Sequence, residues 1–193
     1  MIRLLARMSA MAGLGFGLAA CAAKEALPQF YILTPPNAAD EGSRKGASVY
    51  IRRVQVPGYL ARNSLVTIRA GNQVDYAASA RWAEPLDQGV ARAVAESLNR
   101  FARVRASAFS PNSPPGDHAR NVEIRLDRFE GSDTGEVFMT ARYEVFSGES
   151  SEPQVSRTFQ AHRTGWQPGD YAGLTRLLSD EVADLGRQIG RAL

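Results

Sequence analysis

Cysteine is nearly missing from this sequence: 193 residues contain one, Cys21. A lone thiol excludes an intramolecular disulfide and leaves no second sulfur for a thiolate metal centre. Histidine is almost as scarce, with only His118 and His162. His118 follows Asp117 in the Pro-rich stretch 110–120, where no third ligand has a plausible spacing. His162 alternates with Thr158 and Gln160, as a solvated strand residue would. No metal site is expected. No Gly-x-Ser-x-Gly nucleophile elbow occurs. The acidic groups Asp127/Glu130/Asp133 and Asp180/Glu181/Asp184 read as exposed faces. Catalysis is not expected, nor is a cofactor. Dense basic runs are absent as well: Arg44, Arg52, Arg81, Arg103, Arg125 and Arg157 lie scattered. A nucleic-acid surface wants a basic stripe, so that class is set aside.

Long apolar runs are also lacking. The longest uncharged one reaches from Met8 to Ala23 and carries three glycines, Gly13, Gly15 and Gly17. A membrane-spanning helix needs about 20 apolar residues. Arg3 and Arg7 before the run, and small residues at its end, are the parts of an export signal. The apparent phosphate loop Gly13–Gly17 falls inside that segment. Leu18-Ala19-Ala20-Cys21 resembles the lipobox of bacterial lipoproteins. The resemblance implies cleavage before Cys21, a diacylglycerol on its sulfur and an acyl chain on its new amino group. Several chains anchor stably where one alone binds marginally. Ala22 follows, where many Gram-negative lipoproteins kept at the inner membrane carry aspartate. By that resemblance the lipid anchor is expected in the outer membrane, facing the periplasm.

Loss of residues 1–20 removes two arginines and takes the net charge from +3 to +1 (3 − 2). The basic balance therefore belongs partly to the discarded signal. Residues 21–48 form a lipidated leader and loop, with the apolar Phe30-Tyr31-Ile32-Leu33 inside it and a polar Pro/Gly stretch after it. Residues 49–193 are expected to make one globular domain.

Within that domain 49–57 is rich in β-branched residues and closes at Pro57-Gly58. Segments 64–70 and 73–79 flank Gly71-Asn72, a hairpin turn pair. Leu86, Val90, Val94, Leu98 and Phe101 then mark one helical stripe in 84–101. Strand patterns return at 104–109, 122–127, 137–145 and 155–163. A second helix opens at Gly169-Asp170 with Asp170 as N-cap, and its stripe is Leu174, Leu178, Val182, Leu185 and Ile189. The order predicts an α+β fold: a mostly antiparallel sheet, wet on one face, with both amphipathic helices on the other.

Two segments carry residues that could face a partner. Tyr59 and Arg62 sit on the Pro57-Gly58 turn, and Trp82 precedes the first helix. Core packing is the competing role for Tyr59 and Trp82; on it, Trp82→Ala costs roughly 3–5 kcal/mol.

At these segments the chain resembles the PqiC/YmbA group of ABC-type transport auxiliary lipoproteins. The shared features are the lipobox at Cys21, then Phe30-Tyr31-Ile32-Leu33, Val54-Gln55-Val56-Pro57-Gly58-Tyr59-Leu60 with Arg62, and Arg81-Trp82-Ala83-Glu84-Pro85-Leu86. From about Phe109 only the strand pattern and final helix match. The resemblance implies a non-enzymatic accessory subunit of an intermembrane lipid transport system, docked at the outer membrane. Its partners would be MCE-domain proteins and an ABC transporter or permease, with a homo-oligomer possible. The alternatives are a lipid-binding carrier and a structural lipoprotein of lipopolysaccharide assembly. A periplasmic hydrolase is disfavoured by the missing nucleophile.

Overall fold

The structure, a computed structural model, describes residues 27–35, 46–102, 104–109 and 118–193. The export segment, Cys21, Arg44, Arg103 and Asp117 lie outside the described residues.

Apolar and polar residues alternate along most strands, and the chain folds accordingly. β1 (Gln29–Tyr31), β2 (Ser48–Gln55), β3 (Ser64–Arg69) and β4 (Gln73–Trp82) lead to α1 (Leu86–Phe101). β5 (Arg105–Ala108), β6 (Arg120–Ser132), β7 (Glu136–Ser147) and β8 (Pro153–Thr164) lead to α2 (Tyr171–Gly190). All eight strands join one sheet. The expected run of three strands and a helix, then four strands and a helix, is present, with β1 added in front.

The sheet is mixed rather than mostly antiparallel, which corrects the expectation. Four of the seven strand pairings are parallel: β1–β4, β2–β5, β2–β6 and β3–β6. Only β3–β4, β6–β7 and β7–β8 are antiparallel. Alternation reveals which face of a strand is wet, but not the direction of its neighbours. Here β4 and β5 lie on opposite sides of the β3–β6–β2 group, and α1 carries the chain between them.

β6 is the organising strand. Its first half pairs with β2, its far end with β3, and its other edge with β7 along nearly its whole length. A register shift between Leu126 and Arg128 bends it where the two groups of strands meet. Val122, Ile124, Leu126, Val137, Met139, Ala141, Tyr143 and Val145 are all buried on the helix-covered face. α1 and α2 lie side by side there. A Cβ on Gly186 would stand 2.6 Å from the Cβ of Ser97, so a missing side chain permits the close helix approach. Asp170 caps α2 as expected, accepting the Gly173 N–H at 2.9 Å.

Two of the acidic residues expected on exposed faces are buried. Glu130 is 1% exposed and Glu181 0%. Glu130 lies in the continuation of β6 beyond Asp127, which the pattern of 122–127 does not reach. Glu181 lies on the apolar side of α2, three residues after Leu178 and one before Val182.

Candidate functional site

Residues 29–34 of the N-terminal leader are built into the domain. β1 pairs parallel with β4, placing Phe30 opposite Arg81 and Tyr31 opposite Trp82. The Ala83 N–H donates to the Tyr31 carbonyl at 2.8 Å, continuing the ladder beyond the strand. Leu33 is buried at 1% exposure, while Phe30 and Ile32, on the alternate positions, stay open to solvent.

Arg92 of α1 locks this arrangement. Its Nη2 donates to the Leu33 carbonyl at 3.0 Å and to Glu84 at 2.5 Å; its Nη1 donates to Glu96 at 3.1 Å. The Glu84 hydrogen bond raises the guanidinium pKa further, against the opposing effect of burial. The Thr34 N–H donates to the Ser179 hydroxyl of α2 at 3.1 Å. Five residues of leader are thus tied to the sheet and to both helices.

The Pro57-Gly58 turn is closed by the Leu60 N–H donating to the Pro57 carbonyl at 2.9 Å, with Leu60 buried beneath it. Tyr59 turns inward. Its hydroxyl donates to Glu130 at 2.9 Å, with the Asp127 carbonyl 3.3 Å away. Glu130 also accepts from Arg128 at 2.7 Å and from the Phe129 N–H at 2.6 Å. Burial, and next the Glu130 charge, push the Tyr59 phenol far above its ordinary pKa. A phenol so placed remains a hydrogen-bond donor.

Trp82 is 5% exposed, its ring centroid 6.1 Å from that of Phe129. Tyr59 and Trp82 therefore converge on adjacent residues of β6, Glu130 and Phe129. Arg62 does not join them. It is exposed and lies over the Tyr76 ring at 4.8 Å. What this region offers outward is Gly58, Ala61, Arg62 and Asn63, with Tyr59 and Trp82 holding it from below.

The face of the sheet away from the helices is polar. Arg53, Gln55, Glu123, Arg125, Arg142 and Glu144 line a shallow groove across β2, β6 and β7. Arg52 pairs with Glu123 at 2.8 Å and covers the Phe146 ring. Further along, His162 stacks on Phe138 at 4.8 Å and meets Glu136 at 3.0 Å. His118 stacks on Tyr50. Among the described residues there is no cluster of three or more metal-ligating side chains, and no helix long and apolar enough to cross a membrane.

The long-range contacts of Arg92 and Glu130 carry no local signal. Arg92 reads as one charge on the wet side of a helix paired locally with Glu96, while its partners Glu84 and Leu33 lie 8 and 59 residues away. The signal in the sequence is the apolar run Phe30–Leu33 after a short leader, a segment suited to packing into the domain.

The family model of the ABC-type transport auxiliary lipoprotein component matches residues 31–190. The match begins at Tyr31, inside the leader strand, and ends with α2. A solved structure of an uncharacterised protein superposes with a TM-score of 0.70 at 21% identity, covering 86% of this chain and 99% of that one. A Xanthomonas campestris protein of the DUF330 family superposes with a TM-score of 0.65 at 15% identity, covering 83% and 92%. Both likenesses are of fold. No protein with a curated description matches the sequence.

Proposed function

This chain belongs to the family of ABC-type transport auxiliary lipoprotein components, and from that premise we propose that it is a lipid-anchored adaptor for lipid transport between membranes. Its Cys21 bears the acyl chains. Its domain docks the periplasmic part of an ABC/MCE transport system at the inner leaflet of the outer membrane. It has no catalytic step of its own; its work is to hold a binding surface at a fixed place.

One observation carries this reading: residues 29–34, which begin eight positions after Cys21, are part of the fold. β1 pairing, the Arg92–Leu33 hydrogen bond and the Thr34–Ser179 hydrogen bond tie them down within 14 residues of Cys21. A sheet that begins so few residues after the anchor holds the domain close to the bilayer. The exposed turn around Arg62, supported by Tyr59 and Trp82, and the charged sheet face are the surfaces offered to MCE-domain or permease partners.

Cys21→Ser tests the anchor: the variant should leave the membrane fraction with its fold intact. Retention of that variant in membranes overturns the reading. Crosslinking in cells followed by mass spectrometry tests the adaptor role, with MCE and ABC components expected among the captured proteins. Their absence, with another envelope assembly captured instead, replaces it.

A further inference from the structure

Among the described residues four large apolar side chains are exposed, and three of them fall within six positions: Leu27, Phe30 and Ile32. Leu27 is 86% exposed and Phe30 62%. They lie on and beside β1, an outer strand of the sheet. Phe30 and Ile32 occupy the alternate positions to Tyr31 and Leu33, so they leave the core together.

We infer that this edge is a membrane-apposed surface, resting on the bilayer that holds the acyl chains. The inference depends on the lipidated Cys21 of the proposed function. Two observations select a lipid surface as the occupant. The first is reach. Cys21 precedes Leu27 by six residues, and six extended residues span at most about 22 Å. The clamp at Leu33 and Thr34 fixes the domain end of the described stretch 27–34. An apolar edge so close to an acylated residue meets the bilayer before any other apolar surface.

The second is charge. Arg81 stands opposite Phe30 in the parallel register and is exposed. Arg176, also exposed, borders with Ile32 and Thr34 the groove between the leader and α2. Neither makes an ion pair among the described residues. The nearby acidic residues Asp75 and Glu84 are already paired, with Arg69 and Arg92. The edge therefore combines apolar groups with unneutralised guanidiniums, the pairing that suits an interface of acyl chains and anionic headgroups.

The test uses the acylated protein, purified from membranes and reconstituted in phosphatidylethanolamine/phosphatidylglycerol vesicles. With Cys21 consumed by lipid, an introduced thiol is unique. Ile32→Cys and Thr158→Cys, the latter on the exposed face of β8, each receive an environment-sensitive fluorophore. The label at position 32 should be quenched several-fold more by bromine-bearing lipids than the label at 158, and several-fold less by aqueous iodide. Arg81→Glu with Arg176→Glu should reduce that difference in these vesicles and leave it unchanged in uncharged phosphatidylcholine. Equal iodide access at both positions overturns the inference. So does a label at 32 that is shielded from iodide yet untouched by the lipid quencher, since a second copy or another protein then covers the edge. Flotation is recorded in parallel. Protein that fails to float with vesicles overturns the anchor itself, and the edge contact with it; floating protein with an iodide-accessible label overturns only the edge contact.

Discussion

Arg92 on α1 donates a hydrogen bond to the backbone carbonyl of Leu33 at 3.0 Å, joining a helix to a leader residue 59 positions earlier. The same guanidinium is held by Glu84 and Glu96, so its orientation is fixed before the leader arrives. A long flexible side chain that is already immobilised loses little entropy on making one more bond.

Arg92→Ala should loosen the leader without unfolding the domain. A charge-assisted hydrogen bond is worth about 1.5–3 kcal/mol net. Hydrogen exchange at the Ala83 amide, which donates to the Tyr31 carbonyl, should quicken in the variant. Amides in the centre of β6 and β7 should exchange no faster than the global stability change dictates. Unaltered exchange at Ala83 would show that β1 holds without the clamp.

Tyr59→Phe should cost about 1–3 kcal/mol, because a buried carboxylate loses a donor while its burial is unchanged. Glu130 retains Arg128 and the Phe129 N–H, so the loss should stay within that range. Denaturant unfolding of the pair of proteins measures it. Tyr59→Phe with Glu130→Gln should cost less than the two single losses added, since the two groups interact directly.

Glu181 should make stability fall as pH rises. Its carboxylate is fully buried with no hydrogen-bond partner for either oxygen. Burial pushes its pKa from 4.5 up to about 7, with Arg163 opposing and Asp184, Glu130 and Asp180 adding to the rise. The folded state thus holds this proton more tightly than the unfolded state. This group's contribution is fully present below about pH 4.5 and is lost as pH climbs through about 7. Glu181→Gln should flatten that part of the profile. Glu181→Leu should stabilise the protein by about 1–3 kcal/mol at pH 8. Urea midpoints at pH 5 and pH 8 decide it; a wild-type midpoint rising between them through this residue contradicts the assignment.

Gly131→Ala should destabilise by about 1–3 kcal/mol through overpacking. A Cβ there would lie 2.7 Å from the Trp166 ring, with Leu174 at 3.1 Å behind it. The indole cannot retreat freely, because its Nε1–H donates to the Asp170 carbonyl at 2.7 Å at the start of α2. Near-ultraviolet circular dichroism should report the displaced tryptophan alongside the lower midpoint.

The secondary structure was largely legible. Period-2 alternation located β6 and β7, and the turn pair Gly71-Asn72 located the β3–β4 hairpin, where Asn72 takes a positive φ of 62°. The stripes of α1 and α2 were visible at their helical spacing, and Asp170 was visible as a cap. The strand directions were not, because alternation carries no information on the sense of a neighbouring strand. Nor were the buried Glu130 and Glu181, since a carboxylate in an acidic run looks the same whether its face turns to water or to the core. Of the candidate site, Tyr59, Arg62 and Trp82 were named from their segments. The separation of Arg62 from the other two was not visible, because Tyr59 and Trp82 meet on β6, some 50–70 residues away in the chain.

The sequence by itself determined the elements from β2 onward, the two helical faces and the lipidation motif, because each of these is written in neighbouring residues and short periods. Only the tertiary structure decided that β6 serves three partners, that Arg92 reaches back to Leu33, and that Phe30 and Ile32 share an open edge with Arg81. Those relations depend on contacts between residues tens of positions apart, and no local periodicity encodes which distant strand will lie alongside.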